Sequence, residues 1–254
     1  KMLGGVDSGA HVAVGPPVWL ASGSDLPAGK RAVPRPEVER GIEDRLRTYG
    51  ACWVVGASGV GKSSVSRAVA ERVGENYVIV DFRDAGTEET RGRLDVLMSR
   101  LGGIRAQVFI LEDLNQFNDP VIESVAARFF EALSRRDIAV IVTTYASPTL
   151  KALSSVGQDP RSTFGCPYFS EEESASLVGL HGGEPSLWGK LAHVSGAFGH
   201  PQLVHAFIAG MAARGWPRSE IRAIINAGLS TGDITAERDA ARRSLISVLP
   251  ESSR

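Results

Sequence analysis

Two short runs in this sequence carry residues from which chemistry could be built. The first, Gly-Ala-Ser-Gly-Val-Gly-Lys-Ser-Ser at residues 56–64, fits the phosphate-binding pattern G-x-x-x-x-G-K-[ST], with Gly56, Gly61, Lys62 and Ser63 in the required places. The spacing has a physical reason. A polyphosphate needs several backbone N–H groups pointing inward, so the chain must curl tightly, and Gly56, Gly59 and Gly61 remove the side chains that would block the curl. Ser58 and Val60 complete the loop. A helix starting near Lys62 then aims its N-terminus at the β-phosphate, where backbone donors and the helix dipole favour negative charge. In that arrangement Lys62 bridges the β- and γ-phosphates, the Ser63 hydroxyl holds Mg²⁺, and Ser64 lies near the α-phosphate.

The second run is Val108-Phe109-Ile110-Leu111-Glu112-Asp113, an apolar strand ending in two acids. Phosphoryl transfer to water needs one acid on the metal side and another group to orient the attacking water or accept its proton. Adjacent residues at a strand end point in opposite directions, so Glu112 and Asp113 divide such roles between them. Thr143 and Thr144 end another apolar run, and a hydroxyl there could position the water; they could equally be two β-formers closing a strand. Arg161 reads either as a finger aimed at a neighbouring site or as a solvated loop residue, the second being the simpler reading. Arg135 and Arg136 suit the end of a helix, and His200 and His205 read as core or cleft-wall residues.

Strand, glycine loop and helix must follow one another for the first run to work, and they do. Residues 51–55 are apolar and β-prone, and Val65, Ala68, Val69 and Val73 recur at helical spacing after the loop. Further strands are expected over 77–82, 107–111, 138–144 and, shorter, 164–169, with helices over 87–101 and 121–135 between them. A helix entered through Pro36 carries Val38, Ile42 and Leu46 on one face. Alternating strands and helices imply an α/β fold with a parallel sheet of about five strands. After Phe169 the strand signal stops. Ser170 with Glu173 reads as a capping box, and helices follow over 170–180, 185–196, 201–214 and 218–227, which make a small all-helical domain. The expected organisation is an extension or linker over 1–32, mostly irregular although the apolar part around Trp19 could be ordered. A phosphate-binding domain over 33–169 and a helical domain over 170–232 follow, then the start of a further helical or winged-helix unit over 233–254. A chain that opens on Lys1 and breaks off just inside such a unit reads as a piece of a longer protein.

Composition narrows the function classes. With 254 residues and a net charge of −1, no global field draws the chain to nucleic acid or a membrane. The two cysteines, Cys52 and Cys166, form no C-x-x-C, and the five histidines make no H-E-x-x-H pair. There is no long uninterrupted apolar run and no visible signal peptide, so a cytoplasmic protein is expected. No Asn-Lys-x-Asp base-reading motif of a GTPase and no Leu-Ser-Gly-Gly-Gln signature of an ABC ATPase occurs. A small-molecule kinase would carry a lid and acceptor site where this chain turns helical.

Several runs together resemble the STAND class of AAA-like P-loop NTPases, over roughly residues 33–229. The stretch from Leu111 to Asp119 resembles the class's Walker B region, the lead-in Val33-Pro34-Arg35 with Glu37 and Glu39 resembles the segment that packs near the adenine, and Ile141 to Tyr145 resembles the sensor-1 strand, with Tyr145 where many members carry arginine. Gly199-His200-Pro201, inside the helical domain, resembles the GxP motif whose proline touches the base. The resemblance implies an ATP- and ADP-binding regulatory switch with slow Mg²⁺-dependent hydrolysis. Val33, Arg35 and Pro201 would join the loop in holding the nucleotide, Glu112 would take the metal side, and Lys62, Asp113 and Thr144 would serve hydrolysis. It also implies a protein partner or self-oligomerisation on activation. The alternative is an AAA-type ATPase acting mechanically on DNA or protein, which would need a DNA-binding or pore element and a clear arginine finger.

Overall fold

The computed structural model describes residues 12–15, 18–22, 33–74 and 76–221. Contacts divide the chain into two compact units: Lys1–Lys30, Pro36–Gly56 and Lys62–Gly165 form the first, and Arg31–Arg35, Ala57–Gly61 and Cys166–Arg254 the second.

The first unit is built on a seven-stranded sheet in the order β1-β2-β4-β5-β6-β3-β7. Its strands are β1 (Val12–Gly15), β2 (Val18–Ser22), β3 (Ala51–Val55), β4 (Asn76–Asp81), β5 (Val108–Glu112), β6 (Ala139–Thr144) and β7 (Thr163–Gly165). The last five are mutually parallel. Their near-continuous apolar runs follow from burial on both faces by crossover helices. Those helices are α1 (Pro36–Tyr49), α2 (Lys62–Val73), α3 (Thr87–Arg100), α4 (Pro120–Ser134) and the short α5 (Leu150–Ser155). One face of the sheet carries the larger core, in which Trp53 stacks on Phe130 with ring centroids 5.6 Å apart and meets Phe117 at 4.3 Å.

Within the extension over 1–32, expected to be mostly irregular with the apolar part around Trp19 able to be ordered, β1 and β2 pair antiparallel and β2 pairs with β4 from Val18↔Val80 to Ser22↔Asn76. An unpaired edge of a parallel sheet leaves a row of backbone donors and acceptors open, and a hairpin covers it. The Pro16-Pro17 pair, in the sequence between the two strands, reads as a breaker and conceals the pairing.

Register brings the chemistry to one end of the sheet. Val55 pairs with Thr144 and Asp81 with Glu112, so the carboxyl ends of β3, β4, β5 and β6 lie in line, where ligands sit in open α/β sheets.

The second unit holds α6 (Glu171–Leu180), α7 (Pro185–Ser195) and α8 (Pro201–Ala213). The Ser170/Glu173 capping box forms in both directions and starts α6. Trp188, Leu177, Val204, Phe207, Ile208 and Met211 make its core, with Val33 and Phe169 added to it. Phe169 is therefore part of the helical core, and the break between units falls after Gly165 rather than after Phe169. Of the expected helix over 218–227, Arg218–Glu220 form a 3-10 turn, while residues 222–227 and the expected unit over 233–254 lie outside the described residues.

Candidate functional site

In the first unit the chain leaves β3 at Gly56, whose N–H donates to the Thr144 carbonyl at 3.2 Å. Lys62 opens α2. Its side chain is buried, 5 % exposed, and its Nζ donates to the Gly56 carbonyl at 2.8 Å and sits 4.5 Å over the ring of Tyr145. A buried ammonium needs such contacts to offset lost hydration. Ser63 and the exposed Ser64 follow it on α2.

The two acids separate as their alternation requires. Glu112, 1 % exposed, meets Arg67 of α2: Arg67 Nη2 donates to Oε1 at 3.0 Å and to Oε2 at 3.2 Å, and Nε to Oε1 at 3.2 Å. Asp113 has a left-handed backbone, φ 55°. That turn lets its N–H reach the Thr143 hydroxyl at 2.9 Å while Leu114 N–H reaches the Thr143 carbonyl at 3.0 Å. Its Oδ2 accepts from the Tyr145 hydroxyl at 3.3 Å and from Arg83 Nε at 3.4 Å. Burial alone works against the charge on Arg83, but Asp81, Asp113 and Glu112 outweigh it and raise its pKa.

In the second unit the loop residues Ala57–Gly61 are held from the start of α8. His200, 4 % exposed, places Nε2 3.2 Å from the Ser58 carbonyl. Gln202 packs so closely on Gly59 that a Cβ there would stand 2.3 Å from its Oε1. The thiol of Cys166 lies 3.7 Å from the Val60 carbonyl. Gly59 and Gly61 both take positive φ, 76° and 90°, and the space beside Gly61 is open. Only glycine adopts such a curl without strain, and open space beside loop backbone leaves room for phosphate. Gly199, with φ 90°, brings its carbonyl to the Phe169 N–H at 2.7 Å; a Cβ at Gly199 would stand 2.0 Å from the Phe169 carbonyl oxygen. Pro201 is the first residue of α8 and is buried.

Thus Gly56, Lys62, Glu112, Asp113 and Thr144 gather at the sheet end of the first unit, and Ser58, Gly59, Val60, Gly61 and Pro201 belong to the second. Three of the expected site residues, Arg35, Val33 and Thr144, have other partners in the structure. The guanidinium of Arg35 is enclosed, 3 % exposed. It donates to both Glu173 carboxylate oxygens at 2.9 and 3.2 Å and to the Pro167 and Tyr168 carbonyls at 3.0 and 2.9 Å, because a buried charge must be matched where it lies. Arg35 is thus a clamp on the entry to α6 rather than a base contact, and Val33 is a core residue. The Thr144 hydroxyl donates to the Ala146 carbonyl at 2.8 Å, turned to its own chain. Arg161, more simply read as a solvated loop residue, is exposed and paired with Asp159, whose carboxyl it pulls down to about 2. No role was expected for Arg67, Arg83 or Gln202, and Tyr145 was expected only as the residue standing where many STAND members carry arginine. Only Arg83 and Tyr145 carried a signal, each lying just past the carboxyl end of a central strand.

Among the described residues no three His, Cys, Asp or Glu side chains cluster as a metal cage. Mg²⁺ needs none, since it is bound through one or two protein groups plus phosphate and water. Ser63 fits that use; Glu112 is engaged by Arg67.

No protein-family model and no curated protein matches this chain. Solved structures do. The structure reported for katanin self-assembly superposes with a TM-score of 0.55 at 12 % identity, covering 87 % of each chain. Domain III of the replication initiation protein DnaA of Thermotoga maritima gives 0.50 at 11 % identity, over 78 % of this chain and 95 % of that one. A Walker-type ATPase of Pyrococcus abyssi gives 0.50 at 14 % identity, over 84 % and 76 %. The fold is that of the P-loop NTPases. At these identities the likeness fixes the architecture, while the roles of individual residues rest on the geometry above. Among the described residues no helix of this P-loop fold is long and apolar enough to cross a membrane.

Proposed function

We propose that this chain is an ATP- and ADP-binding switch with slow Mg²⁺-dependent hydrolysis, the nucleotide-binding core of a STAND-type signalling protein. The observation that carries the reading is the grip of the α8 start on the phosphate loop, through His200 on Ser58 and Gln202 on Gly59. A loop that only cradled phosphate would not need a helical unit seated on its backbone. With that grip, any loop movement on exchange of ADP for ATP is felt at the GxP turn, and binding shifts the helical unit through differential contacts. Loop backbone and Lys62 bind the phosphates, and Pro201 packs on the base. Bound Mg²⁺, reached from Ser63, supplies charge neutralisation to the phosphates. Asp113 handles the proton of the attacking water. A protein partner or a second copy of the chain reads the switched state.

Thermal unfolding tests the reading. Nucleotide with Mg²⁺ at a thousand times its dissociation constant should stabilise the chain by about 4 kcal/mol. Lys62→Ala should remove most of that. An unchanged melting temperature at saturating ATP and ADP would end the proposal. Turnover stimulated by DNA, with an ADP release rate unaffected by Pro201→Ala, would favour a mechanical AAA-type ATPase instead.

A further inference from the structure

Tyr145 touches both groups on which hydrolysis would depend. Its ring lies 4.5 Å under the Lys62 ammonium, its hydroxyl stands 3.3 Å from Asp113 Oδ2, and its own N–H is fixed by Asn115 Oδ1 at 2.8 Å. The side chain is thus held at root and tip. Arg83 and Tyr145 both engage Oδ2 of Asp113, and Oδ1 carries no hydrogen bond among the described residues. The left-handed backbone at Asp113, which strains a non-glycine residue, is what turns the carboxylate into this pair.

We infer that Tyr145 is a positioning residue for hydrolysis. It pins one carboxylate oxygen of Asp113 so that the other faces the attacking water. This rests on the proposed ATPase reading. In the step it serves, water oxygen bonds to the γ-phosphorus and its proton passes to Oδ1 of Asp113. The bond from γ-phosphorus to the bridging oxygen breaks, giving ADP and phosphate, and the proton then leaves to solvent. Tyr145 transfers nothing; it fixes the acceptor's direction while its ring keeps the Lys62 ammonium beside the Gly56 carbonyl through a cation–π contact.

Tyr145→Phe keeps the ring and deletes the hydroxyl. It should lower kcat about ten-fold, the effect of one hydrogen bond lost from the aligned state, with KM and the ADP dissociation constant unchanged. In an Asp113→Asn background the same change should have no further effect, which a merely structural role would not produce. A kcat within about twofold of wild type would overturn the inference. So would an equal loss in nucleotide affinity, which would tie the hydroxyl to nucleotide binding instead of to the hydrolytic step. Wild-type protein that binds ATP but turns it over no faster than Lys62→Ala would also overturn it while leaving nucleotide binding intact. Protein that binds no nucleotide would instead remove the reading on which it rests.

Discussion

The imidazole of His200 holds the carbonyl of Ser58 at 3.2 Å, joining the first turn of α8 to the phosphate loop by one hydrogen bond. The ring is buried, with Tyr168 edge-on at 5.0 Å, and its Nδ1 has no partner among the described residues. Burial pushes its pKa below the ordinary 6.5, despite the opposing pull of the Ser58 carbonyl. The bond is therefore made by a neutral ring donating from Nε2. A second proton on Nδ1 would meet no acceptor.

The pH dependence follows with a definite sign. An unfolded histidine takes up its proton near 6.5, whereas folded His200 resists it, so the unfolded state binds more protons as the medium acidifies. Its contribution is intact above pH 6.5 and is lost as pH falls through and below that value. The melting temperature of wild type should drop between pH 7.5 and 5.5 by roughly 2 °C more than that of His200→Gln. Parallel curves for the two proteins would show that His200 takes up its proton equally in the folded and unfolded states, against its burial.

Gly59 should tolerate no side chain. Its φ is 76°, and a Cβ would press to 2.3 Å from Gln202 Oε1 and 2.9 Å from Gln202 Cβ. Gly59→Ala should destabilise by about 2 kcal/mol, part backbone strain and part crowding. Adding Gln202→Ala should restore the crowding part and leave the strain. Denaturant unfolding of the single and double variants measures both, and full additivity of the two changes would rule out the contact.

Much of this was legible in the sequence, for physical reasons that also mark where it stopped. Gly56, Gly61, Lys62 and Ser63 sit at fixed spacing because a phosphate loop has one workable geometry, and a strand and helix must flank it. The parallel sheet followed from uninterrupted apolar runs such as Ile138 to Val142. Ion pairs between elements leave no such trace. Arg67 with Glu112, and Arg35 with Glu173, join residues far apart in the chain, and either arginine could have faced solvent. The apolar part around Trp19 showed that order was possible, but its pairing with β4 was hidden because a covering edge strand is specified by the edge it meets, not by its own pattern. Tyr145 was noticed only as a missing arginine, since a sequence does not say where an aromatic ring will point.

Arg35 should matter to folding before it matters to any ligand. Its guanidinium joins Glu173 and two backbone carbonyls at the entry to α6 and lies 5.1 Å over the Phe169 ring. Arg35→Ala strands the Glu173 carboxylate and those carbonyls, and should cost about 3 kcal/mol in nucleotide-free protein. Arg35→Lys, which cannot present the same fork, should recover less than half. Wild-type stability of Arg35→Ala with a raised dissociation constant for ADP would return Arg35 to the nucleotide.

The two adjacent acids should separate cleanly when each is neutralised. Glu112 is sealed in and bound at both oxygens by Arg67, whose side chain is 36 % exposed, so the pair is only partly screened by water. Glu112→Gln keeps the shape but removes the charge that Arg67 answers. It should lower the stability of nucleotide-free protein by about 1–2 kcal/mol, a discounted value for a half-open pair. Asp113 has longer contacts, 3.3 and 3.4 Å, and Arg83 beside it is half exposed. Asp113→Asn should therefore leave the melting temperature nearly unchanged while lowering kcat at least about a hundred-fold, the scale of a lost general base. ATP affinity should survive Asp113→Asn, because Lys62 and the loop backbone are untouched. Melting curves and single-turnover hydrolysis on the two variants read these effects separately. Arrested turnover in Glu112→Gln, at unchanged stability and with Asp113→Asn still active, would assign the water to Glu112 and require Arg67 to release it when nucleotide binds.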